Sequence, residues 1–454
     1  MDHQQLLEGN IKKNLIRLSL PTSLSFALQS FYDMVDMMWI GRISASAIAG
    51  VTIFSTVFWI VIVLNEIIGT SSVSLITQSY GRKELERTKR VLEQTLTFKI
   101  LVAIIAAVII AIILEPLLWF FSKDKKVIQA ALEYGYIRIF FLPIMFASYS
   151  VNTALRCLGD AKTPMKIMIL SSIINIILDP IFMFKEVPLL GIPGLNMGVF
   201  GAALATVIAT IVAFGLGFYV LIKGQGPIKI SVKGLLKLDW EIDKKLLTIG
   251  LPTGIEVLMR NLSNMLTLKF VAIYGTYALA AMGIGSKLLN FAFTPIFGIS
   301  IGSSTVVGQA LGAERIDIAE ETAKLSAKIN IIMLSLFAGM ALLVPHWIMR
   351  LFTDVKSVID TGIPMIRIIV PSMILTGWAI GLGTVFTSSG HNTPYLLSSI
   401  VSRWLVQIPM LYISTSLLHL PILYTWLSFV AAEVCELLTI YYHYKKGVWR
   451  VKRV

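Results

Sequence analysis

The sequence predicts an all-α integral membrane protein with twelve transmembrane helices in two six-helix bundles, related by pseudo-two-fold symmetry around a central cleft. Three observations predict this fold: long apolar spans, the placement of lysine and arginine between them, and an internal repeat. Of the 454 residues, 56% are hydrophobic and only 14% are charged, whereas a soluble domain has about 25% charged residues. With a mean hydropathy of +0.79, the chain is expected to lie mostly in lipid.

Apolar stretches divide the chain into spans of membrane length. A bilayer core about 30 Å thick is crossed by about 20 apolar residues in a helix. By this criterion the twelve predicted spans lie near residues 14–40, 48–79, 93–121, 130–157, 165–184, 198–222, 246–274, 281–311, 323–349, 358–388, 394–416 and 420–443.

Lysine and arginine are concentrated in the loops that follow even-numbered spans. The loop after the second span contains Arg82, Lys83, Arg87, Lys89 and Arg90, and residues 223–245 are also rich in lysine, whereas loops after odd-numbered spans have few basic residues. Positive residues favour the cytoplasmic side. We therefore expect a multi-pass protein of the prokaryotic plasma membrane with both termini in the cytoplasm.

The two halves of the chain repeat one another. Leu-Pro-Thr at 20–22 recurs at 251–253, an offset of 231 that also relates Gln78 to Gln309 and Gly81 to Gly312. Since six spans per copy is an even number, the copies enter the membrane from the same side, as in parallel repeats with alternating access. The predicted units are an N-terminal lobe (1–222), a cytoplasmic connector (223–245) and a C-terminal lobe (246–454).

Several function classes are excluded by the composition. The two cysteines, Cys157 and Cys435, lie in apolar stretches, and the five histidines have no metal-ligand spacing. Neither a phosphate-binding loop nor a zinc-protease motif is present, and no basic stripe is interleaved with aromatics as in nucleic-acid binders. We expect a monomer that is not an enzyme and has no cofactor. Its expected partners are small organic substrates and membrane lipids.

Three segments carry a resemblance to a known family. They are Leu20-Pro21 followed by Leu28-Gln29 and Val35-Asp36-Met-Met-Trp-Ile-Gly41-Arg42; Gln78-Ser-Tyr-Gly81-Arg82; and Ala154-Leu-Arg156-Cys-Leu-Gly159-Asp160-Ala-Lys162-Thr163-Pro164 before Asn175-Ile-Ile-Leu-Asp179-Pro180. Over nearly the whole chain, the sequence resembles the multidrug and toxic compound extrusion (MATE) family, in particular its DinF-like branch. The resemblance implies an antiporter that exports amphipathic organic compounds.

By this resemblance, the N-terminal lobe has a site for the coupling cation. Its ligands would be the side chains of Asp36, Asn175, Asp179 and Thr206 and the carbonyl of Ala202. A carboxylate within the membrane costs several kcal/mol unless it is paired, hydrated or protonated, and a spacing of four places Asn175 with Asp179, and Ala202 with Thr206, on one helix face. These oxygens suit Na⁺ and H⁺ equally, and a purely structural hydrogen-bond cluster is the alternative.

The resemblance also implies a substrate cavity in this lobe. Its polar part would be Gln29, Tyr32 and Asn152, and its apolar walls Met145, Met168 and Phe182, since thioethers adapt to varied ligands; packing or lipid contact is the alternative for these walls. Pro21 removes a backbone hydrogen bond in the first span. It is expected to kink that helix, and in the family such bending is associated with coupling.

Two positions depart from the family pattern. Asp33 stands where a neutral polar residue is common, and it either adds charge to the cavity or is hydrated at the extracellular end of the cleft. Arg260 stands where the vibrio-type branch has an acidic ligand, and Glu256 one turn before it is expected to form an ion pair. That pair is either structural or a substrate contact in the C-terminal lobe. Coupling is therefore expected in the N-terminal lobe.

Two other functions remain as alternatives. A flippase for lipids or lipid-linked saccharides would line its cleft with several arginines that hold a pyrophosphate. A membrane-embedded enzyme would need a catalytic constellation, which the sequence does not contain. Glu66, Lys99, Lys287, Arg403, Glu433 and Glu436 are interpreted as pairing or snorkelling residues without an assigned role.

Overall fold

The computed structural model describes residues 9–188, 191–224 and 228–454, where the regular structure is helical apart from isolated bridges such as the antiparallel one between Glu186 and Pro193. The helices of the first half are α1 Ile11–Ile43, α2 Ala45–Gly81, α3 Leu85–Phe121, α4 Lys125–Phe140, α5 Leu142–Cys157, α6 Lys162–Met183 and α7 Gly198–Lys223, and a short α8 follows at Val232–Leu235. The second half contains α9 Trp240–Ala272, α10 Thr276–Gly312, α11 Ile316–Leu343, α12 Pro345–Phe352, α13 Lys356–Ser389, α14 Thr393–Leu417, α15 Ile422–Lys446 and α16 Val448–Val451.

Nine helices in the described part of the chain are long and apolar enough to cross a membrane, namely α2, α3, α6, α7, α10, α11, α13, α14 and α15. The pair α4 and α5 passes the same criterion as one bent span. The remaining long helices, α1 and α9, have 33 residues each, or about 50 Å of helix, but they are more polar. The twelve predicted crossings require these two as well. The protein is a multi-pass membrane protein.

The predicted span near 130–157 is a broken helix. α4 and α5 meet at Phe141 with a bend of 57°. Pro143 is at the start of α5, where its missing N–H cannot continue the hydrogen-bond ladder of α4. The break turns two short helices toward the interior of the first half, where both contribute to the cavity described below.

The repeat seen in the sequence is also present in the helices. α2 and α10 begin and end 231 positions apart, and so do α3 and the combined range of α11 and α12. The copies differ at their prolines: α3 continues through Pro116, whereas Pro345 begins a new helix. The backbone of Val344 has left the helical region there (φ −129°, ψ 42°), as is common before proline.

The chain forms two compact units. One contains Leu24–Thr248, and the other contains Ile249–Val454 together with the beginning of α1 up to Ser23. Within the second unit, the Ser23 hydroxyl donates to the carbonyl of Pro295 at 3.0 Å. Gly298 lets α1 approach α10 closely, because a Cβ there would lie 2.1 Å from Ser23 Oγ.

The segment between the halves is docked on α3. The backbone N–H of Ser231 donates to Glu93 Oε1 at 2.7 Å, Thr97 Oγ1 donates to the Leu235 carbonyl at 2.7 Å, and Arg90 pairs with Asp239 at 2.7 Å. Residues 225–227 of the predicted connector lie outside the described residues, and α9 begins within it. The connector is therefore held by several specific contacts in its second part.

Candidate functional site

Four of the five predicted cation ligands form one buried hydrogen-bonded cluster between α6 and α7. Asn175 Nδ2 donates to Asp179 Oδ1 at 3.2 Å and to Thr206 Oγ1 at 3.3 Å. Thr206 Oγ1 in turn donates to the carbonyl of Ala202 at 3.1 Å. Asp179 and Ala202 are fully buried, with 0% of their surface exposed. The spacing of four within each helix brings these groups onto facing sides.

The fifth predicted ligand, Asp36 of α1, lies beside this cluster. It is 7% exposed, and its carboxylate is close enough for its charge to act on Asp179. Two carboxylates from distant parts of the chain therefore share one buried environment. Since like charges repel strongly at low dielectric, a bound cation or a proton would stabilise the pair.

Three buried oxygens of this cluster have no hydrogen-bond partner: Asp36 Oδ1, Asn175 Oδ1 and Asp179 Oδ2. Leaving a buried acceptor unpaired costs about 1–3 kcal/mol. A proton on one carboxylate would supply a donor, and Na⁺ would be suited by the hard oxygens of carboxylate, amide, hydroxyl and carbonyl groups. In the residues that the structure describes, no three His, Cys, Asp or Glu side chains are grouped to hold a metal ion, so Na⁺ would depend on the neutral oxygens as well.

A cavity of about 330 Å³ opens next to the cluster within the first unit. Five of the six residues considered for the substrate cavity line it, and so do Asp36 and Thr206 of the cluster. Phe182, considered as a third apolar wall, is not among the lining residues in the described part of the chain. The principal lining residues are Gln29, Tyr32, Asp33, Met37, Phe54, Phe58, Trp59, Tyr134, Arg138, Met145, Tyr149, Asn152 and Met168.

Asp33 belongs to this cavity. Gln29 Nε2 donates to Tyr32 Oη at 2.8 Å and to Asp33 Oδ1 at 3.4 Å, which ties all three side chains together on α1. Asp33 lines the cavity and is also exposed, so it adds charge there and is open to hydration as well. Two carboxylates, Asp33 and Asp36, therefore line the same space.

Arg138 is the residue of this site that sequence reasoning missed. Its Nη1 donates to Tyr134 Oη at 2.6 Å, and its guanidinium lies 5.4 Å from the ring centre of Phe58. The charges of Asp33 and Asp36 both act on it. The available signal was an arginine within an apolar span, which is a candidate functional residue by default. Tyr134 lies one turn earlier on the same helix, whereas Phe58 and the two aspartates come from other helices, and the sequence does not name those.

The predicted pair of the C-terminal lobe is part of a larger network. Arg260 Nε lies 2.6 Å from Glu256 Oε1, and Arg260 Nη2 lies 3.2 Å from Glu436 Oε1. Arg403 in turn contacts Glu433 at 2.8 Å and Glu436 at 3.4 Å, and Thr376 donates to Glu433. Each arginine is thereby paired with two glutamates, as buried charges require partners. Arg403, Glu433 and Glu436, which had no assigned role, hold Arg260 in place.

Pro21 lies inside α1, which continues through it as one helix. Thr22 Oγ1 donates to the carbonyl of Leu18 at 2.7 Å. The boundary between the two compact units falls between Ser23 and Leu24, directly after this weakened turn. The structure therefore places the proline where α1 leaves one unit and joins the other.

A duplicated set of membrane-spanning helices that encloses a buried ionisable cluster and a cavity is the arrangement of a secondary transporter. The profile of the MatE family matches residues 21–181 and 252–413, once in each half. The chain belongs to the multidrug and toxic compound extrusion (MATE) family, and it is therefore a membrane transporter and not an enzyme.

Individual proteins support this assignment. The chain is 30% identical over 454 residues to the probable multidrug resistance protein YoeA of Bacillus subtilis (strain 168), covering 99% of this chain and 97% of that one. It is 24% identical over 446 residues to the probable multidrug resistance protein NorM of Thermotoga maritima, covering 98% and 94%. A solved outward-facing MATE family transporter superimposes with a TM-score of 0.88 at 22% identity, covering 100% and 99%. The predicted fold class is confirmed, while the DinF-like branch stays a prediction.

Proposed function

We propose that this protein is a secondary active antiporter that exports amphipathic organic compounds, driven by a gradient of H⁺ or Na⁺ acting at Asp36, Asn175, Asp179, Thr206 and Ala202. Curated relatives are named multidrug resistance proteins, which supports an exporter of organic compounds. The predicted location in the prokaryotic plasma membrane, with cytoplasmic termini, belongs to the same proposal.

The observation that carries the proposal is that the ion cluster and the cavity share side chains. Asp36 and Thr206 line the cavity, Thr206 is hydrogen-bonded to Asn175 at 3.3 Å, and the charge of Asp36 acts on Asp179. An ion at the cluster therefore changes the charge and position of groups that a substrate touches. Antiport follows if the ion and the substrate favour different shapes of the unit, because only differential affinity couples two ligands.

Pro21 is proposed as the hinge for this change. A proline in a helix interior removes one backbone hydrogen bond and weakens the turn, and this turn adjoins the boundary between the two units. Movement of α1 at Pro21 would carry Asp36 toward or away from Asp179. The ion would then determine which of two positions α1 prefers.

The cavity lining supports amphipathic, cationic or zwitterionic substrates. Seven aromatic and three methionine side chains are among the residues that line it, and Asp33 and Asp36 add negative charge. A flippase for lipid-linked saccharides is less well supported, because it would need several unpaired arginines for a pyrophosphate. Arg260 and Arg403 are each ion-paired with glutamates, which leaves Arg138 as a single arginine among the described residues that line the cavity.

Efflux from proteoliposomes tests the proposal, with the pH gradient and the Na⁺ gradient imposed separately. Asp36→Asn and Asp179→Asn should each abolish gradient-driven efflux of an organic cation while leaving equilibrium binding measurable, because the amide has no titratable proton and no negative charge to attract Na⁺. Asp354→Asn, at an exposed carboxylate outside the site, is the matched control and should transport normally. Normal efflux with a normal ion response in both site variants would show that the cluster is only structural.

A further inference from the structure

Arg138 carries a positive charge in the cavity that no carboxylate neutralises directly. In the described residues no acidic oxygen lies within 4.0 Å of its guanidinium, whereas Arg260 and Arg403 have carboxylate oxygens at 2.6 Å and 2.8 Å. One of its donors bonds Tyr134, and its buried Nε has no hydrogen-bond partner. Most of the five N–H groups of a guanidinium are therefore available at this site.

Such a group is costly to keep in a membrane protein. An arginine side chain stays protonated at all accessible pH values, and a charge removed from water without a partner is strongly unfavourable. The faces of Phe58 and Tyr134, at 5.4 Å and 5.3 Å, offset part of this cost. They supply no hydrogen-bond acceptor for Nε, so the guanidinium still has free donors that an anion can accept from.

The cavity presents both signs of charge on different helices. Asp33 and Asp36 are on α1, and Arg138 is on α4, and all three line the same space without a direct ion pair. Aromatic side chains, including Phe54, Phe58 and Trp59, stand among them. A planar or aromatic molecule with separated opposite charges would complement this arrangement, since a carboxylate forms bidentate hydrogen bonds with a guanidinium.

We infer that Arg138 binds the anionic group, a carboxylate or sulfonate, of zwitterionic amphipathic substrates, while Asp33 and Asp36 face their cationic group. This inference rests on the proposed export function and makes Arg138 the residue that distinguishes zwitterions from simple cations. The guanidinium supplies the charge and the forked donors, and the carboxylates supply the attraction for an ammonium.

Binding of two matched fluorescent ligands tests the inference. Nα-dansyl-lysine has a free carboxylate and an ammonium, and Nα-dansyl-lysinamide differs only in having a neutral carboxamide. Both are titrated into the full-length protein in lipid nanodiscs. Arg138→Gln should weaken binding of dansyl-lysine about tenfold or more, as expected for loss of a charge-assisted hydrogen bond, and should leave the affinity for dansyl-lysinamide within about twofold or improve it. Arg138→Lys keeps the positive charge but cannot form two parallel hydrogen bonds with a carboxylate. Its affinity for dansyl-lysine should lie between those of the unchanged protein and Arg138→Gln.

Arg367→Gln is the matched control, because Arg367 is an exposed arginine on α13, outside the first unit; this variant should bind both ligands normally. An equal loss for both ligands in Arg138→Gln, no loss for either, or failure of the unchanged protein to bind dansyl-lysine would overturn the inference. If Arg138→Gln does not fold, the ratio of the affinities for dansyl-lysine and dansyl-lysinamide is measured in Arg138→Lys instead and decides the question. Gradient-driven efflux of dansyl-lysinamide reports separately on the proposed function, so each idea can fail while the other stands.

Discussion

Asn175 donates one hydrogen bond to Asp179 and another to Thr206, at 3.2 Å and 3.3 Å, and thereby joins α6 to α7 beside the cavity. The oxygen of the same amide, Oδ1, is buried and has no hydrogen-bond partner in the described part of the chain. Asn175 is therefore both the link that positions Asp179 and a candidate ligand for the coupling ion.

Replacing this amide should uncouple transport. We expect Asn175→Ala to reduce gradient-driven efflux at least about tenfold, because Asp179 loses its donor and the ion loses a ligand. Efflux from proteoliposomes measures this, with substrate binding measured in parallel. Asn290→Ala on α10, at a site outside the first unit, is the control. Efflux in Asn175→Ala with an unchanged ion requirement would contradict a role in coupling.

The ion-pair network of the second unit should act on stability and not on coupling. Glu256→Gln leaves Arg260 with one carboxylate partner, Glu436, instead of two, and breaking a buried pair costs about 3–5 kcal/mol. We expect a lower thermal unfolding temperature or weaker substrate binding, and an unchanged response to pH and Na⁺ gradients. A Glu256→Gln protein that transports but ignores the ion gradient would move coupling to this unit.

The contact between α1 and α10 should be intolerant of a methyl group. In Gly298→Ala the new Cβ would stand 2.1 Å from Ser23 Oγ and 2.5 Å from Ser23 Cα, so backbone has to move, at a cost of about 1–3 kcal/mol. The thermal unfolding temperature should fall. Gly283→Ala on the same helix meets nothing within 4 Å and should be neutral or stabilising, since alanine favours helix. Equal stability of the two variants would contradict the close packing.

The membrane orientation can be tested by labelling. In a protein whose native Cys157 and Cys435 are replaced by serine, Leu236→Cys in the connector should be protected from an impermeant maleimide added to intact cells. Leu195→Cys, in the predicted extracellular loop 185–196, should react. Both positions are exposed, at 82% and 59%, whereas residues 189 and 190 of that loop lie outside the described residues. Labelling of Leu236→Cys from outside would reverse the orientation and with it the proposed direction of export.

The resistance of the connector to proteolysis should depend on its contacts with α3. Glu93 Oε1 accepts from the N–H and hydroxyl of Ser231 at 2.7 Å and 3.1 Å, and Glu93→Ala would leave both donors without it. We expect faster proteolysis of the connector and a loss of about 1–3 kcal/mol in stability. Glu86→Ala, at an exposed position on the same helix, is the control. Equal proteolysis rates in the two variants would show that the docking is weak.

The sequence by itself determined the membrane class, the repeat and most of the long helices, but not the break at Phe141. These follow from hydropathy and from short motifs, which are local properties that each segment carries alone. The offset of 231 that relates Gln78 to Gln309 also relates the ends of α2 to those of α10. The spacing of Asn175 and Asp179 likewise placed them on one face, because a helix turn fixes which residues four apart are neighbours.

Only the tertiary structure decided which charges meet. Arg138 stands in the cavity with Asp33 and Asp36 because α4 and α5 bend by 57° at Phe141 and α1 packs nearby. Arg260 lies against Glu436 at 3.2 Å although 176 positions separate them along the chain. Such contacts depend on how whole helices pack, and no local pattern encodes them. The charge balance of the cavity, and with it the kind of substrate that suits it, therefore came from the fold.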